Sequence, residues 1–199
     1  MKGNPSSVIY RYIRLDFVTI NQVVIFDYTI IILGENNMQI TIRNAQPGEG
    51  ETLAAIEAAC FPAAEAASEE AIKERLAAFP EKFFVAETEG KSVGFVNGGV
   101  TDEPHLPDEM YHDISLHNSD GAYQTVFGLN VLPEYRRQGI AEKLMNALIG
   151  SAKQEGKKGV ILTCKDHMIH YYEKFGFVNY GRADSCHGNA VWNDMRLLF

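Results

Sequence analysis

The stretch that most constrains the fold runs from Val126 to Ile149, where an apolar segment passes through a short polar loop into an amphipathic helix. Residues 126–132 are apolar or small at almost every position, the pattern of a strand covered on both faces. Pro133 cannot donate to a sheet, so it ends this predicted strand. From Gly139 the apolar residues recur every three or four positions, which predicts a helix of about four turns.

The loop between this strand and this helix is suited to binding an anion. Two arginines, Arg136 and Arg137, precede Gly139 and the first residues of the helix. The first backbone N–H groups of a helix have no internal partner and carry the positive end of the helix dipole. A glycine at this point lets a bulky anion approach the backbone without meeting a Cβ atom. The loop is therefore predicted to hold phosphate.

This loop resembles the acetyl-coenzyme A loop of the GNAT superfamily of N-acetyltransferases. Arg136, Gly139 and Ala141 fill the superfamily pattern Gln/Arg-x-x-Gly-x-Gly/Ala. Residues 171–177 resemble its later Tyr-x-x-x-Gly-Phe element. Residues 60–70 are similar to the first-helix region of the arylalkylamine (serotonin-type) N-acetyltransferases. The resemblance thus points to that group within the superfamily.

The resemblance covers residues 38–199, which we expect to form the N-acetyltransferase domain. A chain of 199 residues suits one domain that buries about 70% of its unfolded surface. Residues 1–37 form an extension whose apolar runs are shorter than the ~20 residues of a membrane-spanning helix, and it lacks the pattern of a secretory signal. Two interpretations stay open: sequence upstream of the natural start, or one or two extra strands for a sheet edge or a partner subunit.

Periodicity predicts the element order β-α-α-β-β-β-α-β-α-β-β for the rest of the chain. Predicted strands cover 39–43, 83–87, 92–100, 126–132, 159–164, a segment from 176 onward, and 190–198. Predicted helices cover 47–60, the segment between Ser68 and Pro80, the segment from 139, and 168–175. Residues 101–121 read as a long surface loop, either a functional lid or a solvated insertion.

This order indicates an α/β domain, and the resemblance supplies the sheet topology. It implies a GNAT-type mixed, largely antiparallel twisted sheet with helices on both faces. Residues 126–132 and 160–164 would form a splayed parallel strand pair at the cofactor site.

Composition excludes several classes of function. The net charge of −8 argues against a nucleic-acid partner, whose phosphates need a basic face. The three cysteines are unpaired in number and spacing, which favours a reducing, cytoplasmic compartment. No histidine joins them at metal-ligand spacing, so we propose no metal site, and no segment suggests a membrane partner. A homodimer is one option for the assembly.

The resemblance assigns the contacts with acetyl-CoA. Backbone N–H groups of residues 137–141 would hold the pyrophosphate, while Leu129 and Val131 would pair with the pantetheine arm as one strand pairs with another. A backbone N–H near Asn130 or Val131 would stabilise the oxyanion, and Gly128 could mark a bulge that opens the sheet. The expected cofactor-binding residues are Leu129, Asn130, Val131, Arg136, Arg137, Gln138, Gly139, Ile140, Ala141 and Glu142.

Acetyl transfer to a primary amine poses two proton problems. The amine has a pKa near that of Lys, so its deprotonation at neutral pH costs roughly 4 kcal/mol. In the resembled group two histidines of the central strand take this proton, but Thr125 and Phe127 stand at those positions here. A water chain is one substitute. The candidate side chains are His112, His170 and Glu109.

The second proton returns to the departing thiolate. Tyr172 matches the tyrosine of the family element because it lies four residues before Gly176. A phenol has a pKa close to that of a thiol, so Tyr172 is the expected catalytic acid. The alternative role for Tyr172 is that of a core residue.

The acceptor side involves the segment between the first two helices, which lies over the amine pocket in the resembled group. The expected substrate-binding residues are Phe61, Pro62, Thr125 and Phe127. The favoured function is direct acetyl transfer from acetyl-CoA to a small aryl- or alkylamine or a polyamine, in a ternary complex. The alternatives are acetylation of a protein N-terminus or lysine, and a catalytically silent acetyl-CoA-binding module.

Overall fold

The computed structural model describes residues 23–26, 29–32, 39–185 and 187–199. The chain divides into two compact units, residues 1–38 and residues 39–199. In the first unit, strands β1 (Val23–Phe26) and β2 (Thr29–Ile32) pair antiparallel. The remainder of the sequence extension 1–37 lies outside the described residues.

The second unit contains nine strands and four α-helices within residues 39–185 and 187–199, in the predicted order apart from two divided strands. Its helices are α1 (Gly50–Cys60), α2 (Glu69–Ala78), α3 (Ile140–Gln154) and α4 (Ile169–Glu173). Its strands are β3 (Thr41–Asn44), β4 (Phe83–Thr88), β5 (Lys91–Asn97), β6 (Val100–Thr101), β7 (Tyr123–Val126), β8 (Gly128–Val131), β9 (Gly159–Cys164), β10 (Val178–Arg182) and β11 (Asn193–Leu198).

These strands form two sheets. Strands β3, β4, β5 and β8 make a four-stranded antiparallel sheet in that order. The order in the five-stranded sheet is β10-β11-β9-β7-β6, and only β7 and β9 are parallel. The mixed, largely antiparallel sheet expected from the resemblance is confirmed.

Helices cover both faces of the four-stranded sheet. Val85 and Phe95 point into a core with helices α1 and α2, where Leu53 and Ile72 are fully buried. The intervening residues of β4 and β5 point the other way, into a core with α3. The sheet therefore separates the side that carries α1 and α2 from the side that carries α3.

Local signals in the sequence set the ends of α2. The Ser68 hydroxyl accepts a hydrogen bond from the Ala71 N–H at 3.1 Å, which makes Ser68 the predicted N-cap. Glu69 and Glu70 follow in the first turn, where the helix dipole favours acids. Pro80 begins a short 3₁₀ turn just beyond the helix.

The interpretation of residues 126–132 as a single strand is wrong. The N–H of Phe127 donates to Asn97 O at 2.8 Å, although Gly128 is the register partner of Asn97. Two residues therefore oppose one, which is a β-bulge that turns the chain from one sheet into the other. Parallel pairing with β9 ends at Val126 and Leu162, and residues 128–131 belong to the four-stranded sheet.

The predicted strand 92–100 is likewise divided at Gly98. A Cβ atom on Gly98 would lie 1.9 Å from Thr125 O, so only glycine allows this close approach of the two chains. Gly98 thus leaves room for the backbone of Thr125 at the point where the two sheets diverge.

Residues 101–121 are more ordered than the surface loop that the sequence suggested. They contain the end of β6 and two 3₁₀ helices, Asp108–Tyr111 and Ile114–Leu116. Leu106 and Met110 are buried and anchor the segment to the domain. The described part of the chain has no helix long and apolar enough to cross a membrane.

Candidate active site at the divergence of the two sheets

A cavity of about 930 Å³ opens where β8 and β9 diverge after the Val126–Leu162 pair. It extends from the N-terminus of α3 on one side to the segment between α1 and α2 on the other. The predicted site residues that line it are Phe61, Pro62, Phe127, Leu129, Val131, Arg136, Arg137, Gly139, Ile140, Ala141, Glu142 and Tyr172.

The N-terminus of α3 is uncapped. Gly139 occupies the N-cap position with φ +75°, and no side chain of the described residues caps the first turn. The first hydrogen bond of the helix is from Lys143 N to Gly139 O at 3.1 Å, so the N–H groups of residues 140–142 have no helical partner. A Cβ atom on Gly139 would meet nothing within 4 Å, which shows open space beside these donors. This end of the cavity fits a diphosphate.

The two arginines of the loop play different roles. Arg136 Nε donates to Val131 O at 2.9 Å, so this side chain folds back onto the end of β8. Arg137 is exposed, has φ +61°, and makes no hydrogen bond to the described residues. Gln138 is exposed as well and lies off the cavity, with its amide 3.4 Å from Glu134 O.

The outer edge of β8 offers backbone groups to the cavity. Leu132 N donates to Val93 O at 2.9 Å, and hydrogen-bonding direction alternates along an antiparallel strand. The N–H and C=O groups of Leu129 and Val131 therefore point away from β5, whereas those of Asn130 point toward it. Of the two residues considered for the oxyanion contact, only Val131 presents its N–H at the open edge.

The Asn130 side chain donates a hydrogen bond to a buried carboxylate, that of Glu57, which is not among the residues predicted from the sequence. Asn130 is fully buried, and its Nδ2 donates to Glu57 Oε2 at 2.8 Å. Glu57 lies on α1, is 5% exposed and lines the cavity, and its Oε1 accepts from Ala67 N at 3.3 Å. Burial raises the pKa of the Glu57 carboxyl above its ordinary value of 4.5. Its place on the apolar stripe, four residues after Leu53, was the available signal.

The expected substrate-binding residues separate into two groups. Phe61, Pro62 and Phe127 line the cavity, on the side of α1 and α2. Thr125 is fully buried and lies off the cavity. Its hydroxyl donates to Gly99 O at 3.1 Å and accepts from Gly99 N at 2.8 Å, so it stabilises the junction between the sheets.

The three candidate bases from the sequence lie in different places. The His170 side chain is 84% exposed and contacts Glu173 at 3.3 Å, away from the cavity. Glu109 is exposed and lies off the cavity too, whereas His112 borders it. None of the three is as buried in the cavity as Glu57.

Tyr172 lies between the two ends of the cavity and is nearly buried. Burial raises the pKa of its phenol, so the hydroxyl keeps its proton at neutral pH. The ring of Tyr171 meets that of Tyr172 edge-on at 5.2 Å, and burial raises the pKa of Tyr171 to about 12. Burial also raises the pKa of the Cys164 thiol to about 11, which leaves it protonated and unsuited to nucleophilic attack.

Glu65 links several segments at the end of the cavity next to α1 and α2. Glu65, between α1 and α2, accepts from Lys165 Nζ at 2.6 Å through its carboxylate. Its carbonyl lies 3.0 Å from His187 Nε2. The His187 ring in turn stacks on Tyr111 with 5.0 Å between centroids. These contacts tie the segment between α1 and α2 to residues that follow β9 and to the segment that holds Tyr111.

The cavity thus brings together an uncapped helix end, the divergence of two sheets, a buried carboxylate on Glu57 and the phenol of Tyr172. The chain belongs to the Acetyltransferase (GNAT) family, which it matches over residues 51–177.

Curated relatives are similar to part of the chain. N-acetyltransferase 8 of Homo sapiens is 32% identical over 113 residues, which cover 55% of this chain and 42% of that protein. Serotonin N-acetyltransferase of Mesocricetus auratus is 29% identical over 54% of this chain and 51% of its own length. The probable hydrolase YhcX of Bacillus subtilis is 29% identical over 67% of this chain and 28% of its own length. The chain thus spans between 28% and 51% of these relatives.

Solved structures share the fold at low sequence identity. The loading GNATL domain of CurA from Lyngbya majuscula has a TM-score of 0.68 at 16% identity, and covers 80% of this chain and 98% of that one. The GphF GNAT-like decarboxylase, solved in complex with isobutyryl-CoA, has a TM-score of 0.67 at 20% identity. The match covers 79% of this chain and 98% of that one.

Proposed function

We propose that the protein transfers the acetyl group of acetyl-CoA to the primary amine of a small molecule, by direct transfer in a ternary complex. The observation that carries this proposal is the cavity that passes through the divergence of the sheets. It joins the uncapped amides of α3 to the buried carboxylate of Glu57 and passes Tyr172 on the way.

Binding of the co-substrate follows from the backbone groups that face the cavity. Acetyl-CoA supplies the activated acyl thioester when it is bound. The N–H groups of residues 140–142 would hold its diphosphate, with Arg137 as an additional cation. The open edge of β8 would pair with the amides of the pantetheine arm. The Val131 N–H is then the backbone donor available to the carbonyl oxygen, where charge develops during acyl transfer.

Glu57 would take the proton from the acceptor ammonium. The N–H bond breaks as an O–H bond forms on the carboxylate, and a neutral amine remains to attack the acyl carbon. A base is most effective when its pKa lies near the working pH, so the raised pKa of Glu57 suits it better than an exposed glutamate. This role replaces the histidines that the resembled group places at Thr125 and Phe127.

Tyr172 would return a proton to the departing sulfur. The position of its phenol on the cavity supports this role, whereas burial moves its pKa above that of a thiol and makes it a weaker acid than an exposed tyrosine. The attacking nitrogen gives its second proton to the Tyr172 phenolate, which restores the phenol, so one proton is released overall, through Glu57. The presence of both groups on one cavity argues against a silent cofactor-binding module.

The buried side chains of Glu57 and Arg75 on one cavity favour a small polar acceptor over a protein substrate. The closeness to serotonin-type enzymes rests on residues 60–70 and on a partial match, so we propose an aryl- or alkylamine as the first acceptor to test.

Thiol release from acetyl-CoA tests this function with three sets of acceptors: small aryl- and alkylamines, polyamines, and peptides with a free N-terminus or lysine. We expect turnover with the small amines. Turnover with peptides alone would support the protein acetyltransferase instead. Binding of acetyl-CoA in a calorimeter without thiol release from any acceptor would support the silent module.

A further inference from the structure

The second buried charge of the cavity belongs to Arg75 on α2. Arg75 is 4% exposed and lines the cavity on its acceptor side. Its Nη2 donates to Tyr111 O at 2.7 Å, and its Cζ lies 4.8 Å from the centroid of the Phe127 ring. No acidic side chain of residues 39–185 and 187–199 forms an ion pair with it. Arg75 thus lines the cavity with a guanidinium that has one backbone acceptor and no ionic partner among the described residues.

A buried guanidinium without an anionic partner is costly, because a charge removed from water needs compensation. Burial lowers the pKa of Arg75, and the nearby Glu57 carboxylate opposes this shift. Arginine nevertheless keeps its charge in proteins. An arginine held in this state is what a site for an anionic ligand group requires.

Glu57 and Arg75 together give the acceptor pocket two poles. Both side chains line the same cavity and influence each other electrostatically, yet they are too far apart for an ion pair. The rings of Tyr111 and Phe127, 5.3 Å apart, lie beside the guanidinium. The pocket therefore presents an acid, a cation and an aromatic wall to one small molecule.

We propose that the acceptor is an amino acid or a similar amine that carries a carboxylate beside its amino group. The ammonium group faces Glu57, and the carboxylate binds the guanidinium of Arg75. The planar fork of arginine matches a carboxylate with two parallel hydrogen bonds, which favours this anion over a point-like one. The aromatic wall then contacts the side chain of the acceptor. This inference rests on the proposed acetyltransferase function.

The test compares amino acids with their decarboxylated amines, such as phenylalanine with 2-phenylethylamine and tryptophan with tryptamine. For each pair we measure kcat/KM by thiol release and take the ratio of acid to amine. The ratio should exceed one in wild type for at least one pair. Loss of the cation in Arg75→Gln should reduce that ratio about 100-fold, the cost of leaving a buried carboxylate unpaired.

Two further variants separate recognition from folding. Arg75→Lys keeps the charge and should retain part of the ratio. Arg182→Gln removes an exposed arginine that pairs with Asp166 and does not itself line the cavity, so it should leave the ratio unchanged. A loss of folding in Arg75→Gln would lower kcat/KM for both members of a pair equally, and an unchanged ratio would overturn the inference.

The outcomes also separate this inference from the function on which it rests. If amines are acetylated faster than their amino acids in every pair, the inference fails and the acetyltransferase function stands. If acetyl-CoA binds but no acceptor of either kind releases thiol, both fail.

Discussion

Asn130 Nδ2 donates to Glu57 Oε2 at 2.8 Å, and this bond joins α1 to β8 at the edge of the cavity. A Cβ atom on Gly128 would lie 3.3 Å from the same carboxylate oxygen. The β-bulge, the amide of Asn130 and the acid of α1 therefore form one unit, in which Gly128 leaves room for the carboxylate.

The Glu57→Gln substitution tests the proposed base. Glutamine keeps the shape but cannot accept the proton, so kcat/KM at neutral pH should fall by about 10²-fold or more. In wild type, kcat/KM should decline as the pH falls through the raised pKa of Glu57, because the protonated acid is inactive. The variant should lose this acidic limb. The measurement is thiol release against pH with one amine.

Glu51→Gln is the matched control, since Glu51 is an exposed acid of the same helix. It should keep both the rate and the pH profile of wild type. Equal activity of wild type and Glu57→Gln across the pH range would remove Glu57 from the mechanism.

The same substitution should change the pH dependence of stability. The unfolded chain ionises Glu57 near pH 4.5, whereas the folded protein holds the proton to higher pH. Between these pKa values the folded state binds more protons, so wild type loses stability as the pH rises. Glutamine does not titrate, so the variant does not lose stability in this way. The free energy of unfolding of Glu57→Gln should therefore increase relative to that of wild type as the pH rises from 4.5 toward neutral. Urea titrations at several pH values measure this difference, and a constant difference would contradict it.

Two adjacent tyrosines allow a matched test of the acid. Tyr172→Phe should lower kcat about 10²-fold with little change in acetyl-CoA affinity, since the hydroxyl acts only on the departing sulfur. Tyr171→Phe removes a hydroxyl that has no hydrogen-bond partner among the described residues, so its loss should be much smaller. Equal kcat losses in the two variants would indicate a packing role for both.

The two arginines of the loop should respond differently to truncation. Arg137→Ala removes a free cation beside the α3 amides and should weaken acetyl-CoA binding about threefold to tenfold, less at high salt. Arg136→Ala also releases Val131 O, so kcat should fall in addition to affinity. Calorimetry at two salt concentrations, together with steady-state kinetics, distinguishes them. A salt-independent effect of Arg137→Ala would argue against contact with phosphate.

Replacement of Gly98 should harm the fold. The added methyl group of Gly98→Ala would lie 1.9 Å from Thr125 O, so the free energy of unfolding should fall by about 3 kcal/mol or more. Gly150 in α3 is the control, because a Cβ atom there meets nothing within 4 Å. Gly150→Ala should stabilise by about 0.5–1 kcal/mol. Chemical unfolding of the two variants checks both values.

The sequence alone predicted the element order, the N-cap of α2 and the uncapped helix at Gly139, because these depend on local patterns. It did not predict the bulge at Phe127 and Gly128, since an apolar run looks the same whether it stays in one sheet or crosses to another. That crossing moved Thr125 away from the cavity and into the junction between the sheets.

The acceptor side was the least predictable part. Glu57 and Arg75 lie on different helices, 18 residues apart in the sequence. The position of Glu57 four residues after Leu53 suggests burial, but the sequence does not show that the two charges meet at one cavity. Only the packing of α1 and α2 against β8 buries both and brings them to one cavity. The backbone N–H of Asn130 is one of two donors predicted for the thioester oxygen, but the strand register turns it toward β5, and its side chain donates to Glu57.

The open edge of β8 has a consequence for the protein when its co-substrate is scarce. Unpaired backbone groups on a strand edge are a template for strands of other molecules, which leads to aggregation. Arg136 already donates a hydrogen bond to one of these groups, the carbonyl of Val131, which makes this edge less available to another strand. A bound pantetheine arm would shield the remainder, and acetyl-CoA supply would then set how long the folded chain survives in a crowded cell.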